Sequence, residues 1–419
     1  MSLSLSPPPG APFVWRRMLL SLVIVVIALA AWSTYLHERY PTTSPLTSTT
    51  YLVQQIGHAH AQMQQRVIGF LPYWQEDGAK YVHTNLLSDL VFFALTADAQ
   101  GHIVTETNGK PEPGWRAWNS STVRNQIART QIAGAKFVLT VAQQDGVQLG
   151  AFLDDAAAQR SLAATLASLV ADDHLDGLNL DFEFTGASTP AHRQAFTEFA
   201  RNLVAVIHAK ATSAQVSIDL PPISATRPGL YDIPTLAQIF DEVIVMSYDY
   251  YTPGSDVAGP VAPISGYADA QYFFDVTTTY DDYSQAVPAG KLIMGVPYYG
   301  YDWPVEDNSE PLAAVLPQSD TNGYAEVVSY SRMKTEPNLN GQNCHWDTTA
   351  QATWCGYTDP ETSVQREAWL EDDRSIAAKF GFAKQHQFGG VAIWALGYAG
   401  SYDEPWDLLQ REFTKTGQS

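Results

Sequence analysis

Three polar side chains alternate with apolar ones in Leu178-Asn179-Leu180-Asp181-Phe182-Glu183-Phe184. Strand side chains have a period of two, so Asn179, Asp181 and Glu183 share one face while Leu178, Leu180, Phe182 and Phe184 share the other. Cα atoms two apart on a strand are separated by about 6.5–7 Å, close enough for two carboxyl groups to govern each other's ionisation. Such a pair tunes one acid for proton donation. Carboxylates that merely cap a helix follow an apolar run; these alternate inside one, where Asp181 would be buried at a desolvation cost for no purpose. A second cluster, Met246-Ser247-Tyr248-Asp249-Tyr250, closes another apolar run with a hydroxyl donor and a carboxylate.

Positioning such groups requires strands that end at a common rim. From Val67 onward, short β-rich runs alternate with helical patterns, the signature of βα units and a parallel sheet. Eight strands are expected: Val67–Leu71, Leu90–Leu95, Lys136–Ala142, Gly177–Phe184, Gln215–Leu220, Glu242–Tyr248, Lys291–Pro297 and Gly390–Leu396. The fold class is therefore α/β, a closed (β/α)8 TIM barrel over residues 66–415, with Glu183 at the C-terminal rim. Apolar spacing of three and four predicts an outer helix over Gln159–Ala171. The stretch between the seventh and eighth strands is far longer than a crossover helix needs. It predicts a small insertion at about 303–365, whose closing stretch Trp369–Phe380 reads as a helix leading into the eighth strand.

At this point the sequence resembles a known family. Asp176 to Glu183 is similar to the Asp-Gly-x-Asp-x-Asp-x-Glu signature of family 18 glycoside hydrolases, the chitinase-like enzymes, with Asn179 where the family has its first inner Asp. Met246-Ser247-Tyr248-Asp249 matches the family's Met-x-Tyr-Asp pattern, and Gly389 to Tyr398 resembles its final strand with a floor tryptophan, Trp394. Gly69-Phe70-Leu71-Pro72-Tyr73-Trp74 and Gly295-Val296-Pro297-Tyr298-Tyr299-Gly300 match more loosely. The resemblance implies cleavage of β-1,4 bonds in N-acetylglucosamine polymers by a substrate-assisted retaining mechanism, an exception to the two-carboxylate scheme. It implies Glu183 as acid, Asp181 and Tyr248 as orienters of the substrate's acetamido group, and Asp249 and Met246 at the sugar. Trp394 is the expected bed of the reacting ring, and Tyr73, Trp74 and Tyr298 are candidate groove aromatics. The third strand departs from the family's Ser-x-Gly-Gly ending and puts Gln143 near the sugar. With Asn179, this places the chain nearer the peptidoglycan or spore-germination branch than the secreted chitinases. In the usual motif the two inner Asp residues share a proton. Asn179 is expected to donate its amide to Asp181 instead, keeping Asp181 ionised and the proton on Glu183. A catalytically inactive carbohydrate-binding protein is the alternative, but it explains only the fold and the aromatics.

Composition supports a carbohydrate partner. A net charge of −20 over 419 residues excludes a nucleic-acid partner, whose binding rests on cations against phosphate. Eleven Trp and 21 Tyr supply rings enough to stack on sugars as well as to fill a core. No metal cluster or nucleotide loop is legible, so no cofactor is expected, and His58 and His60 read as spacer. Residues 1–17 form a short tail ending in Arg16-Arg17, ahead of the apolar run 18–36, long enough to cross a bilayer of about 30 Å. Positive residues before the run keep the tail in the cytoplasm and the bulk of a single-pass monomer outside. A signal peptide cut near Ala28-Leu29-Ala30, giving a secreted form, is the alternative. Residues 37–65 read as a polar spacer. Cys344 and Cys355 lie close together and, in an exported chain, are expected to form a disulfide.

Overall fold

The computed structural model describes residues 61, 63–184, 186–227, 229–266 and 274–415. The tail, the apolar run and nearly all of the spacer lie outside these residues, as do His58 and His60. Among the described residues no helix is long and apolar enough to cross a membrane.

Seven barrel strands come first: β1 (Arg66–Pro72), β2 (Asp89–Thr96), β3 (Lys136–Gln143), β4 (Gly177–Phe182), β5 (Gln215–Leu220), β6 (Glu242–Val245) and β7 (Leu292–Pro297). Five strands of an insertion follow: β8 (Tyr299–Pro304), β9 (Glu326–Ser329), β10 (Cys344–Asp347), β11 (Ala352–Thr358) and β12 (Gln365–Leu370). The last, β13 (Gly390–Trp394), completes the barrel. The eight barrel strands close in the order β1-β13-β7-β6-β5-β4-β3-β2, and every neighbouring pair is parallel.

Period-two alternation divides the barrel's side chains into two apolar bodies. Val67, Leu71, Leu178, Leu180 and Phe182 point outward into the large core shared with the helices. Ile68, Phe70, Val91, Val138, Ile244 and Ala392 point inward and fill the barrel's centre. Outside β3 and β4, the helix Ala156–Asp172 is capped by Asp155, whose side chain accepts from the amides of Ala157 and Ala158. Its Leu162, Ala163, Leu166, Ala167 and Val170 are buried, the spacing that the sequence predicts.

The insertion is an antiparallel five-stranded sheet in the order β9-β8-β12-β11-β10. It runs from Tyr299 to Leu370, wider than the expected 303–365. Trp303 and Trp369 are fully buried in it, beside a buried pair in which Arg366 Nε donates to both Asp302 carboxyl oxygens at 3.0 Å. Cys344 and Cys355 face each other across the β10–β11 ladder and are joined by a disulfide. The helix expected over Trp369–Phe380 begins later, at Asp373, because Trp369 is still paired in β12. Asp372 caps that helix by accepting from the Ser375 amide. The aromatic and aliphatic run Trp369-Leu370 belongs to a strand, and the acids after it start the helix.

Candidate active site

Because β4 is apolar outward and polar inward, its inner face carries Asn179 and Asp181 toward the C-terminal mouth of the barrel. Glu183, one step beyond the strand, is fixed by its amide donating to Gln143 O at 3.0 Å. Asp181 and Glu183 line a cavity of about 370 Å³ at that mouth. Gln144 joins them: its Nε2 donates to Glu183 Oε1 at 2.7 Å and to Asp181 Oδ2 at 3.3 Å. Burial pushes the Glu183 carboxyl above its ordinary value, the Gln144 amide pulls it partway back, and the charge of Asp249 adds to the rise. Asp181, fully buried, is pushed up much further, first by desolvation and then by Asp219 and Glu183.

The backbone after β6 turns sharply. The Ser247 amide donates to Val245 O and the Tyr248 amide to Met246 O, both at 2.8 Å, and Asp249 adopts a positive φ of 59°. The strand expected through Tyr248 therefore ends at Val245, and these turns lay Met246, Tyr248 and Asp249 into the cavity. Gly295 of β7 makes room for them: a Cβ there would stand 2.5 Å from Val245 O and 3.0 Å from Tyr248 Cε1. Desolvation first, and then the surrounding carboxylates, raises the Tyr248 hydroxyl well above its usual value, so it remains a neutral donor. Asp249 Oδ1 accepts from Tyr299 at 2.6 Å and from Tyr301 at 2.9 Å. The insertion's first strand thus reaches the site. Opposite, Trp394 packs its ring 4.7 Å from Phe93 and 5.9 Å from Phe70, forming an aromatic floor. Tyr73 and the half-exposed Trp74 stand at the cavity edge.

Three expectations are corrected. Gln143 does not face the sugar site; its amide donates to Ala97 O and its carbonyl accepts from the Asp145 amide. Thr140 and Ala142 point inward on β3, so the alternation that serves β4 directs Gln144, not Gln143, into the cavity. Tyr298 is no groove aromatic: it is 3% exposed, outside the cavity lining, and its hydroxyl has no hydrogen-bond partner. The third concerns Asn179, whose Nδ2 donates to Ser217 Oγ at 3.0 Å and Asp219 Oδ1 at 2.8 Å, while its carbonyl accepts from Thr140. It makes no such bond to Asp181, so nothing from Asn179 favours the charged Asp181, and the direction of that shift is upward.

Sequence reasoning missed Asp219. Burial pushes its carboxyl up to about 8, opposed by the Asn179 amide and reinforced by Glu183. The signal was present in Gln215-Val216-Ser217-Ile218-Asp219-Leu220, where Ser217 and Asp219 alternate with apolar residues as Asn179 and Asp181 do. Counting it, five carboxyl groups among the described residues line the cavity (Glu112, Asp181, Glu183, Asp219 and Asp249), and none of the described lining residues is Lys, Arg or His. Among the described residues no group of His, Cys, Asp and Glu is arranged to hold a metal ion.

A closed parallel barrel with a raised carboxylic acid and an aromatic floor at its C-terminal mouth has the layout of a glycosidase. Family comparison makes this specific. The description "Glycosyl hydrolases family 18" matches residues 66–399, and the chain belongs to that family. It is 31% identical over 247 residues to the cortical fragment-lytic enzyme of Bacillus subtilis (strain 168), covering 56% of this chain and 49% of that protein. It is also 27% identical over 270 residues to the di-N-acetylchitobiase of Rattus norvegicus, covering 61% of this chain and 69% of that protein. The chain spans about half the length of the cortical fragment-lytic enzymes it matches. Among solved structures, the Bacillus cereus spore cortex-lytic enzyme SleL superimposes with a TM-score of 0.64 at 22% identity, over 85% of this chain and 76% of that one. The Ostrinia furnacalis Group IV chitinase in complex with allosamidin does so with a TM-score of 0.70 at 16% identity, over 83% and 98%. Within the family the chain stands nearer the spore-cortex hydrolase branch.

Proposed function

We propose that this chain hydrolyses β-1,4 bonds that follow N-acetylglucosamine in a cell-wall or chitin-like glycan, by a substrate-assisted mechanism that retains anomeric configuration. The observation that carries this reading is Glu183: a carboxyl at the barrel mouth, held above its ordinary pKa and oriented by Gln144. It gives its proton to the glycosidic oxygen as the bond to the anomeric carbon breaks. The substrate's own acetamido oxygen then closes on that carbon, with the Tyr248 hydroxyl donating to it and Asp181 facing the acetamido nitrogen. Water opens the cyclic intermediate and passes its proton to Glu183, restoring the acid. Trp394 supports the sugar ring from below, and Asp249, with Met246 beside it, accepts from sugar hydroxyls.

A lining of carboxyl groups without a cation favours an uncharged residue at the reacting position. The names of the relatives, cortical fragment-lytic enzyme and di-N-acetylchitobiase, point to glycans containing this sugar. We propose further that the barrel acts as a monomer outside the cell, held by residues 18–36 in the membrane. Reducing-end release from N-acetylchitooligosaccharides and from purified peptidoglycan tests the activity, with Glu183→Gln as control. The expected result is hydrolysis of at least one substrate by the native chain and a loss of ~10²-fold or more in the variant, with oligosaccharide binding retained. A variant keeping more than about a tenth of the rate contradicts the assignment.

A further inference from the structure

We propose that Asp219 shares one proton with Asp181 and thereby does, from β5, what a carboxyl at position 179 does in the family's usual motif. This rests on the functional reading above, and four observations carry it. The β4–β5 register pairs Asn179 with Ser217 and Leu180 with Ile218, so its next step sets Asp181 beside Asp219 on strands about 4.8 Å apart. Both side chains point inward and line the same cavity, with Asp181 1% and Asp219 4% exposed. Asp181 Oδ1 is buried without a hydrogen-bond partner, an acceptor awaiting a proton or a substrate donor. Asn179, held by Thr140 and Ser217, donates to Asp219 Oδ1 and fixes that carboxyl in place.

The surroundings require the sharing. Facing Asp219 are Asp181 and Glu183 from β4 and its end, and Tyr248 and Asp249 from the turn after β6; Gln144 and Thr140 from β3 and Ser217 from β5 are uncharged. Arg66, with Asp89 and Glu242, belongs to a cluster at the other end of the barrel. Two adjacent buried carboxylates with no cation cannot both be charged near neutral pH, and burial already raises both. The pair therefore holds at least one proton, and its singly protonated form is the one that serves the reaction. When the acetamido nitrogen gains positive charge, that proton resides on Asp219 and Asp181 faces the nitrogen as the carboxylate. When the charge is lost the proton is shared again, and the pair neither takes up nor releases one across the step. Asp219 is a positioning residue, acting through Asp181.

The test follows the side-chain carboxyl carbons of ¹³C-labelled aspartate by NMR across pH in the full chain, in native form and in Asp219→Asn and Asp181→Asn. The expected result is two steps separated by more than about one unit in the native protein, replaced in either variant by one step of intermediate pKa. Removing either carboxyl without moving the other's titration overturns the proposal, and this readout stands even if no form cleaves a glycan, an outcome that sinks the functional reading alone. Kinetics give the second arm. Asp219→Asn should lower kcat by ~10-fold or more and move the acidic limb of kcat/KM to higher pH, because the low first step of the pair is gone. The exchange Asn179→Asp with Asp219→Asn returns a carboxyl beside Asp181 and should restore most of the rate and the limb. An unshifted limb, or an exchange that recovers nothing while melting as the native protein does, also overturns it.

Discussion

Gln144 donates hydrogen bonds to both Asp181 and Glu183, and replacing it with Leu isolates what its amide does. The amide donates to the ionised form of each carboxyl and so lowers the pKa of each. A general acid works protonated, and the rate falls as pH rises through its pKa. Removing the donor raises that pKa, so the alkaline limb of kcat/KM for Gln144→Leu must move to higher pH. A hydrogen bond to a charged group contributes about 1.5–3 kcal/mol, and one pKa unit corresponds to about 1.4 kcal/mol, which bounds the shift at roughly 1–2 units. Glu183 lies at the cavity mouth, where solvent screens part of this, so we expect about 0.5–1.5 units. Losing the 3.3 Å contact raises Asp181 as well, and because Asp181 acts as the carboxylate this change bears on the acidic limb. The assay is the initial rate on an N-acetylchitooligosaccharide between pH 4 and 10, with thermal melts to confirm the fold. A limb that stays in place or moves to lower pH refutes both the role of Gln144 and the assignment of Glu183 to that limb.

Two other outcomes follow from the charges and from the sequence. Burial pushes the Asp219 carboxyl up to about 8 in the folded chain against about 3.9 when unfolded, so the stability its protonation contributes is complete below pH 3.9 and is lost as pH rises to about 8. Asp219→Asn removes this loss, and the fall in Tm between pH 5 and 8 should be shallower than in the native chain; an equal or steeper fall contradicts the raised pKa. In cells, the full chain is expected in the membrane fraction with the barrel open to added protease; an N-terminus at Ala31 in a soluble form would place the cut after Ala30 and remove the proposed anchor.

The barrel was legible because a parallel strand buried on both sides leaves a short apolar run between helical patterns, and each of the eight runs became a barrel strand. The polar face of β4 that lines the candidate site was legible because polar residues interrupt its apolar alternation at every second position. The same rule, extended to β3 and β5, marks Gln144 and Asp219. The bond from Asn179 to Asp219 was not legible, since it depends on the register between two strands 38 to 40 residues apart in sequence. Nor was the insertion's contribution. Tyr299 and Tyr301 reach Asp249 only because β8 leaves the barrel rim immediately after β7, and the sequence does not say where the insertion's sheet begins.

The most direct test of the account is the anomeric form of the first product, followed by ¹H NMR within the first minutes of cleavage of an N-acetylchitooligosaccharide, before mutarotation. Attack by the substrate's acetamido group and then by water inverts the anomeric carbon twice, so the new reducing end should appear as the β anomer. The same chain should leave the fully N-deacetylated oligosaccharide uncut, because that substrate lacks the nucleophile. An initial excess of the α anomer, or comparable cleavage of the deacetylated substrate, would contradict the mechanism assigned to Glu183, Asp181 and Tyr248.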